Sequence, residues 1–281
     1  MISKLISFEF KYRYTQWMTL IFILMLAFQG VWYAWGTYDF HVNDETLINA
    51  PAIIYQCLAP GGMLLIIVVA IITGAAVYKD IEHQTAETIY TLPMNEKRYF
   101  LGKFLAAYLI NVSICLAYPL GLAIMQYTGI APSEKFGPTP WGQLLHGFII
   151  FTLPNLLFLT SIVIAGVVFF RNMVAGYMGV FLVVLFFLVA ETTRENTQYI
   201  NIIYLLDPFA YTLTVDTVEA LSVVEKNTGY FPISSFFVIN RILWLSLTVL
   251  FTFFSYKRFG FKYFIATPTK KRKLISDEDT S

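Results

Sequence analysis

Few residues of this chain have the types and spacing that chemistry requires. The three histidines, His41, His83 and His146, lie far apart in the sequence, and neither an HExxH motif nor a Cys/His cluster with zinc spacing occurs. Gly137 and Gly142 have the separation of a phosphate-binding loop, but glutamine follows where such a loop requires lysine. The sequence therefore predicts no metal site, no cofactor and no ATP binding by the chain itself.

Acidic side chains are absent from the middles of the long apolar stretches. Proton-driven pumps and intramembrane proteases need ionisable groups at that depth, so both classes of protein are disfavoured. The two cysteines, Cys57 and Cys115, lie inside apolar stretches, where a thiol usually packs as a small apolar group. We predict that the chain is not an enzyme.

Charged side chains concentrate in one polar segment, residues 77–103, between two apolar stretches of about 25 residues each. The pattern predicts a helix over 82–90, a break before Pro93, and a second helix capped by Asn95. A partner that grips such a segment could move the attached helices as rigid bodies; the alternative is an ordinary solvated loop. The residues singled out for this contact are Asp80, Glu82, Thr85, Glu87, Pro93, Lys97 and Arg98.

Composition places the elements around this segment in a membrane. Hydrophobic residues make up 57% of the 281 residues and charged residues only 13%, about half the charged fraction of a soluble domain. The predicted fold class is all-α: a polytopic membrane protein with six transmembrane helices, a coupling helix on one side and a pair of short helices on the other. The predicted spans cover residues 17–35, 51–76, 103–127, 144–170, 173–190 and 236–256.

The segments between the spans have their own patterns. Residues 1–16 mix aromatic and basic side chains as an interfacial helix does, and residues 199–206 and 215–224 are apolar enough to be the short-helix pair. We expect one membrane domain over 1–258 and a basic, then acidic, tail or linker over 259–281. The prolines that could act as hinges, or merely as packing kinks, are Pro60, Pro119 and Pro154.

The distribution of positive charge predicts the orientation. With six spans, only Lys135, Arg194, Lys226 and Arg241 lie on the side away from the termini, which leaves 15 of the 19 basic residues on the terminal side. Cytoplasmic loops carry the excess of lysine and arginine. Both termini and the polar segment are therefore expected in the cytoplasm.

Some polar residues near the apolar stretches need partners. Arg241 lies in the last predicted span, where a charge is costly unless it is paired, and we predict a structural ion pair with Asp207. Glu191 and Glu225 are alternative partners, and Arg241 could instead extend to the interface. Four further polar residues either face a substrate path or hydrogen-bond a neighbouring helix: Gln56, Asn111, Gln126 and Asn155.

The polar segment resembles the cytoplasmic coupling region of type-2 ABC transporter permeases. The resemblance rests on an acidic residue at 80 or 82, Thr85 with Glu87, the run Thr91-Leu92-Pro93, and Gly102-Lys103. A narrower resemblance, to the permease portion of bacterial permease/aminopeptidase fusion proteins, rests on INAPAIIYQ (48–56), LDPF (206–209) and NRILW (240–244). No metallopeptidase motif is present, so no peptidase activity is implied, and the chain is either a separate half-transporter or the leading part of a longer protein.

The resemblance implies a permease subunit of the bacterial inner membrane, energised by a separate ABC ATPase and most similar to exporters. It implies a second permease half, identical or different, with substrate passing between the two along the second and fifth spans. Membrane lipid is an implied partner and nucleic acid is not. The alternative function is a non-transporting membrane scaffold that anchors another domain or complex. The cargo cannot be identified from the sequence.

Overall fold

The computed structural model of the chain describes residues 2–41, 45–82, 95–129, 131–195 and 197–261. Within these residues all regular secondary structure is helical. Three single 3-10 turns and one π-helical turn, Phe148–Thr152, interrupt or extend the α-helices. The α-helices are α1 Ile2–Tyr14, α2 Trp17–His41, α3 Pro51–Leu58, α4 Gly62–Glu82, α5 Glu96–Cys115, α6 Ala117–Ile124, α7 Trp141–Gly147, α8 Leu153–Phe170, α9 Met173–Thr192, α10 Ile200–Leu206, α11 Tyr211–Glu219, α12 Val223–Thr228 and α13 Ser235–Arg258.

Four helical stretches of the described chain are long and apolar enough to cross a membrane: Glu96–Tyr127, Trp141–Phe170, Met173–Thr192 and Ser235–Arg258. A fifth is added if α1 and the first part of α2, which are bent by 78° relative to each other, count as one span. In α4 the apolar part, Leu64–Tyr78, is shorter. The chain is therefore an all-helical, membrane-embedded protein, and the last four predicted spans coincide with helices.

The second predicted span is divided at the Pro60-Gly61 break that the sequence predicts. Proline lacks the amide that would continue α3, and Gly61 has a φ of 64°, which glycine adopts without steric cost. The break leaves the Ala59 carbonyl without a helical partner. The Asn155 Nδ2 group donates to it at 2.7 Å, so a side chain of α8 satisfies the interrupted helix.

Helix α8 is the centre of the bundle and packs against α4, α5, α9 and α13. A buried polar contact joins three of these helices, because Asn111 Nδ2 of α5 donates to Thr73 Oγ1 of α4 at 2.8 Å and to Thr160 Oγ1 of α8 at 3.2 Å. Hydrogen bonds of this kind stabilise helix contacts where the surroundings are equally apolar. Asn111 is thus a packing residue of the bundle.

Helices α8 and α9 form an antiparallel pair, as the two-residue connection between them predicts. Arg171 ends α8 in the left-handed conformation, and Asn172 Oδ1 accepts from the Val174 amide to begin α9. The pair is close-packed through Gly166, where a Cβ would lie only 2.6 Å from the Gly176 Cα.

A layer of short segments covers the end of the bundle opposite α1. Asn49 Nδ2 donates to the Gly137 carbonyl and to Gln126 Oε1, and the Gly137 amide donates back to Asn49 Oδ1. The Leu47 amide donates to Asn227 Oδ1 of α12, which joins the first loop to the last short helix. Gln126 is therefore a packing residue of this layer.

The predicted short-helix pair is correct for its first member and wrong for its second. Helix α10 matches the prediction over 199–206, but the predicted helix over 215–224 is replaced by α11 and α12. The physical reason is local: Ser222 and Glu225 form a capping box, which starts a new helix inside the predicted one.

Candidate functional site

The predicted coupling segment is described only at its two ends. Thr85, Glu87 and Pro93, together with the predicted helix over 82–90, lie outside the described residues. Asp80 and Glu82 belong to the last turn of α4. On the other side Asn95 caps α5 as predicted, because its Oδ1 accepts from the Arg98 amide at 3.0 Å. The Arg98 side chain is exposed at the same end.

Lys97, one of the predicted coupling residues, makes contacts within the chain. Its ammonium donates to the carbonyls of Tyr256, Lys257 (3.1 Å) and Phe259 (2.8 Å), so it caps the last turn of α13. An ammonium has three donors, and all three are engaged. Lys97 therefore links α5 to the end of α13, and its contact with an ATPase stays a prediction.

A buried ion pair joins α1 to the start of α5. Lys103 Nζ lies 2.7 Å from Glu9 Oε1, and the two residues are only 5% and 1% exposed. The same ammonium lies 5.4 Å from the ring centroid of Tyr99. A buried charge is costly without a partner, and in this pair each charge is the partner of the other.

Helix α1 is also held by its second buried charge, Arg13. One guanidinium nitrogen of Arg13 donates to the Ile72 carbonyl of α4 at 3.3 Å. Thr19 Oγ1 in turn donates to the Arg13 carbonyl at 2.7 Å, across the sharp bend between α1 and α2. We call Glu9, Arg13 and Lys103 the basal clamp; it connects α1 to both helices that flank the polar segment.

The Gly102-Lys103 pair, part of the resemblance to the permeases, lies at the contact between α1 and α5. A Cβ at position 102 would lie 2.7 Å from Leu5 Cδ2, so glycine allows α1 to approach α5 closely. The pattern of residues 1–16 predicts an interfacial helix and does not predict the burial of Glu9 and Arg13. The available signal was that Glu9 is the single acidic residue of α1, directly followed by an apolar neighbour.

Arg241 and Asp207 lie in one buried cluster, although each charge is satisfied by neutral groups. Arg241, 8% exposed, donates to Asn155 Oδ1 at 2.8 Å, to Asn240 Oδ1 at 2.7 Å and to the Pro208 carbonyl at 3.3 Å. Asp207 accepts from the amides of Phe209 (2.9 Å) and Thr212 (2.7 Å). The predicted direct ion pair is thus replaced by a hydrogen-bonded network, which we call the distal cluster.

Burial explains why the Asp207 carboxylate accepts from several donors and why the Arg241 guanidinium donates to several acceptors. Burial raises the pKa of the Asp207 carboxyl, and the amides of Thr212 and Phe209 together with the nearby Arg241 charge oppose that rise. Arg241 presents a planar fork of donors, which matches several oxygen acceptors at once. Among the distal cluster residues, Asn155 also caps the Ala59 carbonyl, so the cluster connects to the break at Pro60.

Two of the sequence motifs meet in the distal cluster. Asn240 Nδ2 donates to the carbonyls of Tyr204 (2.7 Å) and Asp207 (2.8 Å), and Trp244 Nε1 donates to the Leu205 carbonyl at 3.1 Å. The NRILW motif of α13 therefore caps the final carbonyls of α10, next to the LDPF motif.

The predicted hinge prolines all coincide with irregular backbone. Pro60 lies at the break between α3 and α4, and Pro119 follows the interruption at Leu116 between α5 and α6. Pro154 is near the start of α8, directly after the π-helical turn. Motion of the chain at these three points stays a prediction.

Two neighbouring cavities lie along α4 and α9. The first, of about 360 Å³, is an apolar groove that includes Ile66, Tyr177 and Val184. The second, of about 240 Å³, also includes Ile66 and Val184 and adds polar side chains. Its polar lining consists of Gln29, Gln56, Glu191 and the tyrosines Tyr33, Tyr118 and Tyr211. Gln56, one of the four polar residues predicted to face a path or pack, therefore lines a cavity.

Comparison with known proteins finds no matching family model and no curated protein that matches this chain. The class that the fold itself defines is a helical membrane-embedded protein with four to five helices of spanning length in the described residues.

Proposed function

We propose that the chain is the membrane-spanning permease subunit of an ATP-binding-cassette transporter, with six spans and both termini in the cytoplasm. A separate ATPase subunit would grip the polar segment over residues 77–103 and supply the energy of ATP hydrolysis. The proposal rests on the resemblance of that segment and on the charge distribution.

The observation that carries the proposal is the basal clamp. It ties α1 to α5 through Glu9 and Lys103, and to α4 through Arg13 and the Ile72 carbonyl. A force applied to the segment between α4 and α5 would therefore reach α1 and both helices as one body. A loop that only connected two helices would not require buried charges around its base, because such charges are costly to bury.

The two cavities along α4 and α9 support a cargo path at this face. The apolar groove continues into the cavity lined by Gln29, Gln56 and Glu191, with Ile66 and Val184 common to both. Apolar and polar walls in succession suit an amphiphilic cargo. Many large apolar side chains of α9, including Met178 and Phe181, are exposed and would face a second permease half.

The test is copurification of the tagged protein in a mild detergent, comparing the wild type with Glu87→Arg. We expect an ATP-binding subunit to copurify with the wild type and to be lost from the variant, because the substitution reverses a charge in the proposed contact with the ATPase. The matched control is Glu134→Arg, an exposed glutamate at the opposite end of the molecule, which should retain the partner.

Equal recovery of the ATPase with both variants would remove Glu87 from the contact. Absence of any ATPase from the wild type would contradict the transport proposal and favour the membrane scaffold. Thermal unfolding of all three proteins shows whether a lost partner reflects a lost contact or a lost fold.

A further inference from the structure

A third cavity lies on the lateral face of the bundle, away from the α4–α9 path. It is an apolar groove of about 450 Å³ between α5 and α13, with Leu157 of α8 between them. Helix α5 contributes Leu101 and Phe104, and α13 contributes residues from Thr248 to Tyr256. Because this wall is apolar and faces outward, its occupant in a membrane has an apolar chain.

The dimensions of the groove match one acyl chain in one leaflet. The α13 residues that line it, from Thr248 to Tyr256, span about 12 Å at the helical rise of 1.5 Å per residue. Half of a hydrocarbon core is about 15 Å thick. The Tyr256 end of the groove lies next to the last turn of α13 and the first turns of α5, where the bundle meets water.

Basic residues follow the last groove residue of α13 and precede the first groove residue of α5. Lys257 is exposed, and its Nζ lies 4.4 Å from the ring centroid of Phe253, a groove residue. Arg98 is exposed on α5, one turn before Leu101, and the exposed Arg258 follows Lys257. The nearby acidic group, Glu96, is engaged, because its Oε1 accepts from the Phe261 amide at 3.1 Å.

Charge decides which occupant fits. Basic pockets between membrane helices bind anionic headgroups, whereas a second copy of this chain would bring Lys257 and Arg98 against like charges. We propose that the groove between α5 and α13 binds an anionic phospholipid, with one acyl chain along Thr248–Tyr256 and the phosphate at Lys257 and Arg98. The proposal does not depend on the transport function.

The test is native mass spectrometry of the purified full-length chain, titrated with phosphatidylglycerol or with phosphatidylcholine of the same acyl chains. We expect phosphatidylglycerol to bind about tenfold more tightly. Lys257→Ala should weaken phosphatidylglycerol binding about fivefold and leave phosphatidylcholine unchanged, since one basic residue near a membrane surface contributes about that factor. Lys226→Ala, on α12 at the opposite end, should change neither.

A second pair of variants tests the groove itself. Val249 lines the groove and is 67% exposed, whereas its neighbour Leu250 is 49% exposed and is not among the lining residues. Val249→Trp should remove most of the bound phosphatidylglycerol, and Leu250→Trp should retain it. Equal binding of the two lipids, no effect of Lys257→Ala, or equal losses in the two tryptophan variants would overturn the proposal. A change from dimer to monomer mass in Val249→Trp would show that a second copy occupies the groove.

Discussion

At the scale of single residues, the structure depends on where a few charges are buried. Glu9 and Lys103 are 94 positions apart in the chain and form a contact of 2.7 Å with almost no exposure to solvent. Either charge alone would be costly at this depth, so the pair functions as one unit. Exposed charges such as Lys11 on the same helix carry no such requirement.

Glu9→Gln should therefore destabilise the protein by about 3–5 kcal/mol, because the Lys103 ammonium would remain buried without its carboxylate. The measurement is thermal unfolding in detergent, with Lys11→Gln as the control, which should shift stability by less than about 0.5 kcal/mol. The double variant Glu9→Gln/Lys103→Met should recover much of the loss, since the Lys103 charge is removed together with its Glu9 partner. If the double variant loses as much stability as Glu9→Gln and Lys103→Met lose together, then side-chain shape and not charge holds α1.

At the scale of elements, helix pairs approach closely only where side chains are small. In the α8–α9 pair a Cβ on Gly166 would meet backbone atoms of Gly176 at 2.6 Å, and backbone cannot move aside. A Cβ on Gly179 would instead meet the Ile162 side chain at 3.1 Å, which can adjust. A side chain at position 166 would therefore push the two helices apart, whereas a methyl group at position 179 could be accommodated.

Alanine substitution should lower the stability of the protein at Gly166 but not at Gly179. Alanine is favoured over glycine in a helix by about 1 kcal/mol, so Gly179→Ala should leave stability unchanged or raise it. Gly166→Ala should lower it by about 1–3 kcal/mol, because the two helices must move apart. Thermal unfolding of the two variants in the same detergent measures both effects. A gain in stability for Gly166→Ala would mean that the helices are not in close contact at this point.

At the scale of the whole molecule, two sets of polar contacts hold the two ends of the bundle. The basal clamp ties α1 to α4 and α5, and the distal cluster ties α10 and α11 to α8 and α13 through Arg241 and Asn155. The half-buried pair of Arg194 with Asp216 (2.9 Å) and the pair of Arg194 with the exposed Glu219 (2.7 Å) add a second contact to α11.

Arg241→Lys should destabilise the distal cluster and, with it, the packing of α10 and α11. Lysine keeps the charge but replaces the planar fork, whose separate nitrogens reach Asn155 on one side and Asn240 and the Pro208 carbonyl on the other, with a single ammonium. Each buried acceptor left without a donor costs about 1–3 kcal/mol. Hydrogen exchange should become faster across α10 and α11 and remain unchanged in the α8–α9 pair. The matched control, Arg194→Lys, alters an exposed pair contributing about 1 kcal/mol or less and should have a small effect. Equal effects from the two variants would remove Arg241 from its central position.

The sequence by itself determined the class of this protein and most of its helix boundaries. A bilayer requires about 20 consecutive apolar residues, so the long apolar stretches can be read directly from composition. Local chemistry also sufficed at Asn95, which caps α5, and at Pro60-Gly61, which divides the second predicted span. These features depend on residues within one turn of each other, where sequence and geometry are directly linked. The capping box of Ser222 and Glu225 is equally local. The prediction of one helix over 215–224 is wrong because this capping box begins a new helix within that range.

The tertiary structure alone decided which polar residues meet. Arg241 reaches Asn155 across 86 positions, and Lys97 reaches the end of α13 across 160, so neither partner could be identified from neighbouring residues. The sequence predicted a pair between Arg241 and Asp207, but packing brought neutral acceptors to Arg241 and neutral amide donors to Asp207. The contact between Glu9 and Lys103 could not be predicted from the sequence for the same reason. Burial of a charge depends on the packing of distant helices, and that packing is a property of the folded chain.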